Sequence, residues 1–62
     1  MNLNNFQTMD PFMLLSIINL KLRDFYNSLD ALCEDLNIDK NELKNILKEK
    51  DFEYIEAVNQ FK

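Results

Sequence analysis

The stretch Ser28–Lys50 reads SLDALCEDLNIDKNELKNILKEK, and its apolar positions decide the fold. Leu29, Leu32, Cys33 and Leu36 fall at i, i+3, i+4 and i+7, one face of a helix. Ser28 precedes them as an N-cap, its oxygen ready to accept an orphan backbone amide. Asp30 sits in the first turn, where the helix dipole favours a negative charge. Asn37 then stands where helix-turn-helix units usually place Gly, and it is the best non-Gly residue for a left-handed backbone. Ile38 plugs the angle between the helices. Asp39 caps the next helix, and Glu42 completes a capping-box-like pair. Leu43, Ile46 and Leu47 form the inner face of that helix, with Lys48 and Lys50 in its last turn. The spacing predicts two short helices across a tight turn, a helix-turn-helix-like unit over residues 28–50.

Upstream, Met1–Met9 is a polar, Asn-rich lead-in from which Leu3 and Phe6 can pack back. Asp10 caps a first helix and Pro11 fits its first position. That helix is expected to run from Pro11 to about Tyr26. Its apolar residues (Phe12, Met13, Leu14, Leu15, Ile17, Ile18, Leu20, Leu22, Phe25 and Tyr26) cover well over half its circumference. Such a helix is either packed on several sides or offers one side to a dimer. Asn27, tolerant of left-handed backbone, and Ser28 break it. In the tail, Phe52 and Tyr54 alternate like a strand, whereas Ile55, Val58 and Phe61 have helical spacing. The expected fold is all-α over one domain, residues 1–62. It is a three-helix, helix-turn-helix-like unit with a short C-terminal extended segment, a fourth short helix, or both.

Composition narrows the chemistry. The 62 residues contain no His and no Gly. The commonest general acid–base and metal ligand is therefore missing, and so is any glycine-rich phosphate loop. No catalytic, cofactor-binding or metal-binding residues are expected, and no enzyme. The single Cys cannot form an internal disulfide, and Cys33 reads as a small core residue. No signal peptide is visible, and Phe12–Leu22 is too short and too interrupted to span a bilayer. A cytoplasmic setting without membrane association is expected.

The net charge is −4, which disfavours nonspecific nucleic-acid binding. The charge is uneven: residues 40–50 hold four lysines against two glutamates. Lys40, Lys44 and Lys48 recur at i, i+4 and i+8, with Asn41 and Asn45 beside them. These five are candidate DNA contacts, since Asn suits adenine and Lys suits guanine or phosphate. They are equally an ordinary solvated face, diluted by Asp39, Glu42, Glu49 and the acidic residues Asp30, Glu34 and Asp35. Because 47% of the chain is hydrophobic, a domain this small has apolar surface to spare. Phe12, Met13 and Phe61 are the candidate protein interface.

The run Asp10-Pro-Phe-Met-Leu-Leu-Ser16, with Asn19, Lys21-Leu-Arg-Asp24, Tyr26, Ser28-Leu-Asp30 and Leu32-Cys33, resembles a family of small bacterial proteins classed as a domain of unknown function. The likeness extends to the closing Asn59-Gln60-Phe61. One departure is Lys50-Asp51 before Phe52, where the family is expected to place Gly. The resemblance implies a standalone bacterial protein with no assigned activity, and it transfers no catalytic or binding residues. Asn19, Lys21, Arg23 and Asp24 belong to the matched run, which suggests a polar network between the end of the first helix and the Asn27–Asp30 turn.

The function expected from the sequence is a non-enzymatic binding module. It works through self-association or a protein partner, with DNA binding through the third helix as the alternative.

Overall fold

A computed structural model describes residues 6–62; Leu3, expected to pack back, lies outside them. A 3-10 turn at Phe6–Thr8 leads into α1 (Pro11–Asp24), α2 (Leu29–Leu36) and α3 (Lys40–Lys48). The chain closes with β1 (Tyr54–Ile55), a 3-10 turn (Glu56–Val58) and β2 (Gln60–Phe61). The described residues are thus mostly helical, with one two-stranded sheet at the C-terminus.

Each helix starts where a side chain can take an orphan amide. Asp10 accepts from the Phe12 N–H at 2.9 Å, Ser28 from Ala31 at 3.1 Å, and Asp39 from Asn41 at 2.9 Å and Glu42 at 3.2 Å. Replacing such a cap by Ala typically costs about 1 kcal/mol.

The ends of α2 and α3 share one solution, in a chain without Gly. Asn37 adopts φ 56°, ψ 48°. Its N–H then reaches Glu34 O, and the Ile38 N–H reaches Cys33 O at 2.8 Å. Asp51 adopts φ 67°. Its N–H reaches Lys48 O at 2.9 Å, and the Phe52 N–H reaches Leu47 O at 3.0 Å. Both are Schellman motifs, which satisfy carbonyls that a helix end leaves open. The Lys50-Asp51 departure therefore falls where the backbone is left-handed. Asn27, though tolerant of a left-handed backbone, does not adopt one: the positive-φ residues in the described chain are Asn37, Asp51 and Asn59.

α1 ends at Asp24, two residues earlier than expected. Phe25 leaves the helix at φ −126°, and the N–H groups of Phe25 and Tyr26 both fold back onto Lys21 O. Nor is α1 buried on several sides. Leu14, Ile18 and Leu22, at i, i+4 and i+8, are its fully covered row. With that row α1 packs against α2, α3 and β2. On the opposite side Phe12, Met13 and Leu20 are 57%, 58% and 48% exposed.

The core gathers Phe6 from the lead-in, the α1 row, Leu29, Leu32 and Cys33 of α2, Ile38 of the turn, Leu43 and Leu47 of α3, and Phe61 of β2. Leu14, Ile18, Leu32, Leu43 and Leu47 are sealed from solvent. Truncating one such Leu to Ala costs roughly 2–5 kcal/mol, a large share of a small domain's stability.

The tail differs most from expectation: no fourth helix packs on the core. Tyr54 pairs with Phe61 and Ile55 with Gln60 in an antiparallel register, extended by reciprocal Glu53–Lys62 backbone bonds of 2.9 and 2.8 Å. A single 3-10 turn and left-handed Asn59 (φ 53°, ψ 47°) close the hairpin. Ile55 and Val58 remain exposed, so the helical spacing in the tail has no packing counterpart. The strand-like alternation is the one realised: half-buried Phe52 and Tyr54 join the core, and the Tyr54 ring lies 5.5 Å from that of Phe61.

Candidate interaction surfaces

Asn41, Lys44, Asn45 and Lys48 line one open groove between α3 and the hairpin, with Phe52, Glu53 and Tyr54 as its other wall. Lys40 lies at the neighbouring depression, which it shares with Ser28, Leu29, Asp30, Lys44, Tyr54 and Glu56. The five candidates therefore do share one side of the molecule, and all are exposed.

Their electrostatics are less cationic than the spacing suggests. Lys40 Nζ pairs with Asp30 Oδ1 at 2.5 Å, tying α3 to α2. The hydrogen bond to Asp30, then its charge, holds the Lys40 ammonium above its ordinary pKa. This cation is spent on an intramolecular partner, and Glu53 adds a carboxylate to the groove wall. What remains is two lysines and two side-chain amides, a small set for neutralising phosphates.

The second surface is the outer face of α1. Phe12 and Met13 stand more than half exposed, while Phe61, the third candidate, is only 2% exposed. Phe61 fills the core through β2, so it is withdrawn from the interface set. Leu20 takes its place: it is exposed on the Phe12–Met13 side, eight residues from Phe12 and seven from Met13, spacings that return to one helix face. That spacing was visible in the sequence, but it was hidden among the apolar neighbours of α1. Phe12 also packs its ring edge-on against Phe52 at 5.8 Å, which fixes its position. Phe25, 70% exposed, lies under the Lys21 ammonium at 5.6 Å from the ring centre.

The anticipated polar network at the end of α1 forms with different partners. Among the described residues Arg23 pairs with its neighbour Asp24, at 3.0 Å in solvent. This bond raises the guanidinium pKa and lowers that of the Asp24 carboxyl. The network is supplied by the hairpin instead. Asn59 Nδ2 donates to Leu22 O and to Tyr26 O, each at 3.0 Å. Asn59 Oδ1 accepts from the Tyr54 hydroxyl at 2.5 Å, and that hydroxyl accepts from the Leu29 N–H at 3.3 Å. One asparagine thus caps carbonyls at the end of α1 while its neighbour in the network holds the start of α2.

Cys33 is buried and unpaired. Burial pushes its thiol pKa up, the opposite of what a reactive cysteine needs. Among the described residues no three His, Cys, Asp or Glu side chains are grouped to hold a metal ion. No helix among them is long and apolar enough to cross a membrane.

No curated protein and no solved structure matches this chain. Residues 8–61, from the 3-10 turn through β2, match the Domain of unknown function (DUF4250), and the chain belongs to that family.

Proposed function

We propose that this domain is a non-enzymatic binding module that self-associates through the outer face of α1. The observation that carries this reading is the exposure of Phe12, Met13 and Leu20 on one side of a helix whose other side is fully packed. Exposed apolar residues grouped in this way mark association sites more often than singly scattered ones. The charge distribution supports the same surface. Residues 10–25 hold two acids, Asp10 and Asp24, against two bases, Lys21 and Arg23, so the whole net charge of −4 resides elsewhere. A second copy meets least repulsion at α1.

Sedimentation equilibrium tests this proposal. The expected result is a species of twice the chain mass that dissociates on dilution. Leu20→Asp raises the dissociation midpoint at least about tenfold, since burying one Leu is worth roughly 1.5–3 kcal/mol. A single species of chain mass at every concentration overturns the proposal. Added salt strengthens this association by screening the acidic surfaces.

DNA contact is the second reading, favoured by the co-location of Lys44, Lys48, Asn41 and Asn45 on one groove. In it, α2 and α3 act as a helix-turn-helix-like pair. Its signature is opposite, because DNA binding weakens steeply with salt. Fluorescence anisotropy with duplex DNA at low salt separates the two, and a flat titration removes the DNA reading.

A further inference from the structure

We infer that the groove between α3 and the hairpin takes up an extended acidic peptide, which adds to β1 as a third strand. None of Phe12, Met13 and Leu20 lines that groove, which leaves the α1 face free for a second copy. The sheet has two strands, β1 and β2, and therefore two outer edges. Tyr54 stands opposite Phe61, next to the reciprocally bonded pair Glu53–Lys62. Alternation along an antiparallel ladder turns the N–H and C=O groups of Tyr54 and Phe61 away from each other. Those of Phe61 meet the side chain of Asn19. Those of Tyr54 point to the outer edge of β1, where no described residue bonds them.

That edge faces the groove. Phe52, Glu53 and Tyr54 all line it, although the side chains of consecutive extended residues alternate in direction. Consecutive residues share one groove when the groove runs along the edge of their segment. The other wall is a stripe of α3. Asn41, Lys44, Asn45 and Lys48 recur at i, i+3, i+4 and i+7, so the groove follows the helix for about 10 Å. A strand laid between the two walls bonds Tyr54 through its backbone and meets the α3 side chains with its own, the general mode of strand addition.

The charges select the strand. Lys44 and Lys48 are exposed and belong to neither ion pair among the described residues. Against these two lysines the lining residues hold one carboxylate, Glu53, so the groove is cationic in a chain of net charge −4. One turn separates Lys44 from Lys48 by about 6 Å along α3, and alternate side chains of an extended chain repeat every ~6.5 Å. Acidic residues at alternate positions of a peptide therefore reach both lysines in step. Duplex DNA makes no use of a free strand edge, and two lysines neutralise few of its phosphates.

Fluorescence anisotropy with the labelled peptide Glu-Val-Glu-Val-Glu-Val tests the inference. The expected result is saturable binding, which Lys44→Glu combined with Lys48→Glu weakens at least about tenfold. Both positions are exposed, so the double variant stays folded. The same peptide N-methylated along its backbone keeps its charge but cannot donate to the edge, and it too binds at least about tenfold more weakly. At saturation with the unmodified peptide, hydrogen exchange of the Tyr54 amide slows. A flat titration overturns the inference. Equal affinity of the charge-reversed protein removes the lysines from the site, and equal affinity of the N-methylated peptide removes strand addition; either result overturns it as well. Saturable binding of duplex DNA with none of the peptide assigns the groove to nucleic acid and contradicts the inference.

Discussion

Asn19 and Phe61 are joined twice: Asn19 Nδ2 donates to Phe61 O at 3.1 Å, and the Phe61 N–H donates to Asn19 Oδ1 at 2.8 Å. The side-chain amide thus acts as a one-residue strand. Reciprocal bonds join Glu53 and Lys62, so the alternation of an antiparallel pair turns the backbone groups of Phe61 outward, to the open edge of β2. An unpaired edge is a liability in any sheet; here α1 closes it with one residue. Asn19→Ala leaves both Phe61 groups without partners in a half-covered site. Urea denaturation should show a loss of about 2–3 kcal/mol, whereas Asn41→Ala, on the exposed side of α3, should change stability by under ~0.5 kcal/mol.

Asn59 does two jobs, and two substitutions separate them. Its backbone is left-handed, and its amide holds the carbonyls of Leu22 and Tyr26. Asn59→Gly keeps the backbone and loses the amide, with an expected cost of about 1–3 kcal/mol. Asn59→Ala loses both and should cost roughly 1 kcal/mol more. Equal stabilities for the two variants, measured by chemical denaturation, would show that the left-handed conformation carries no energetic weight there.

These asparagines explain what the sequence revealed and what it concealed. Asp10, Ser28, Asn37 and Asp39 act within four residues of their own positions, so their roles follow from local order. Asn19 and Asn59 act across 42 and 33–37 residues, and no local pattern carries that. Two-residue strands are also too short for periodicity to register, which is why the tail was ambiguous between extended and helical structure. For α1, the sequence displays apolar residues on nearly every side. Which of them are buried depends on the other elements, and α2, α3 and β2 all pack on the Leu14–Ile18–Leu22 row. The same ignorance of tertiary contacts put Phe61 at the interface and left Leu20 out. Lys40 illustrates the limit for charge: its partner Asp30 lies ten residues away on another helix.

The absence of Gly leaves stability to be gained. Asn37 and Asp51 hold left-handed conformations that Gly adopts without steric cost. Asn37→Gly and Asp51→Gly should each raise stability by roughly 0.5–1 kcal/mol, or several degrees in Tm for a domain of this size. Asn37→Ala and Asp51→Ala should lower it by about 1 kcal/mol. Asp51→Gly restores the residue that the family resemblance leads one to expect, and differential scanning calorimetry reads both signs.

Tyr26 gives a pH signature. Its hydroxyl donates to Asp35 Oδ2, and that hydrogen bond, followed by desolvation and the carboxylate's charge, raises the phenol pKa above its ordinary value near 10. Because the folded-state pKa is raised, the contribution to stability is fully present below pH ~10 and is lost as pH rises through the folded value. Ultraviolet titration should find the Tyr26 phenol ionising late, and Asp35→Asn should return it toward the ordinary range. The site is exposed, so the effect on the melting temperature is small.

The working surface itself is read best by a dilution series of amide proton–nitrogen NMR spectra. If α1 mates with a second copy, resonances of Phe12, Met13, Ser16, Leu20 and their neighbours shift together as the protein is diluted, while Asn41, Lys44, Asn45 and Lys48 stay fixed. Spectra that superimpose at all concentrations, or shifts confined to Asn41–Lys48, would contradict the assignment of α1 as the binding face.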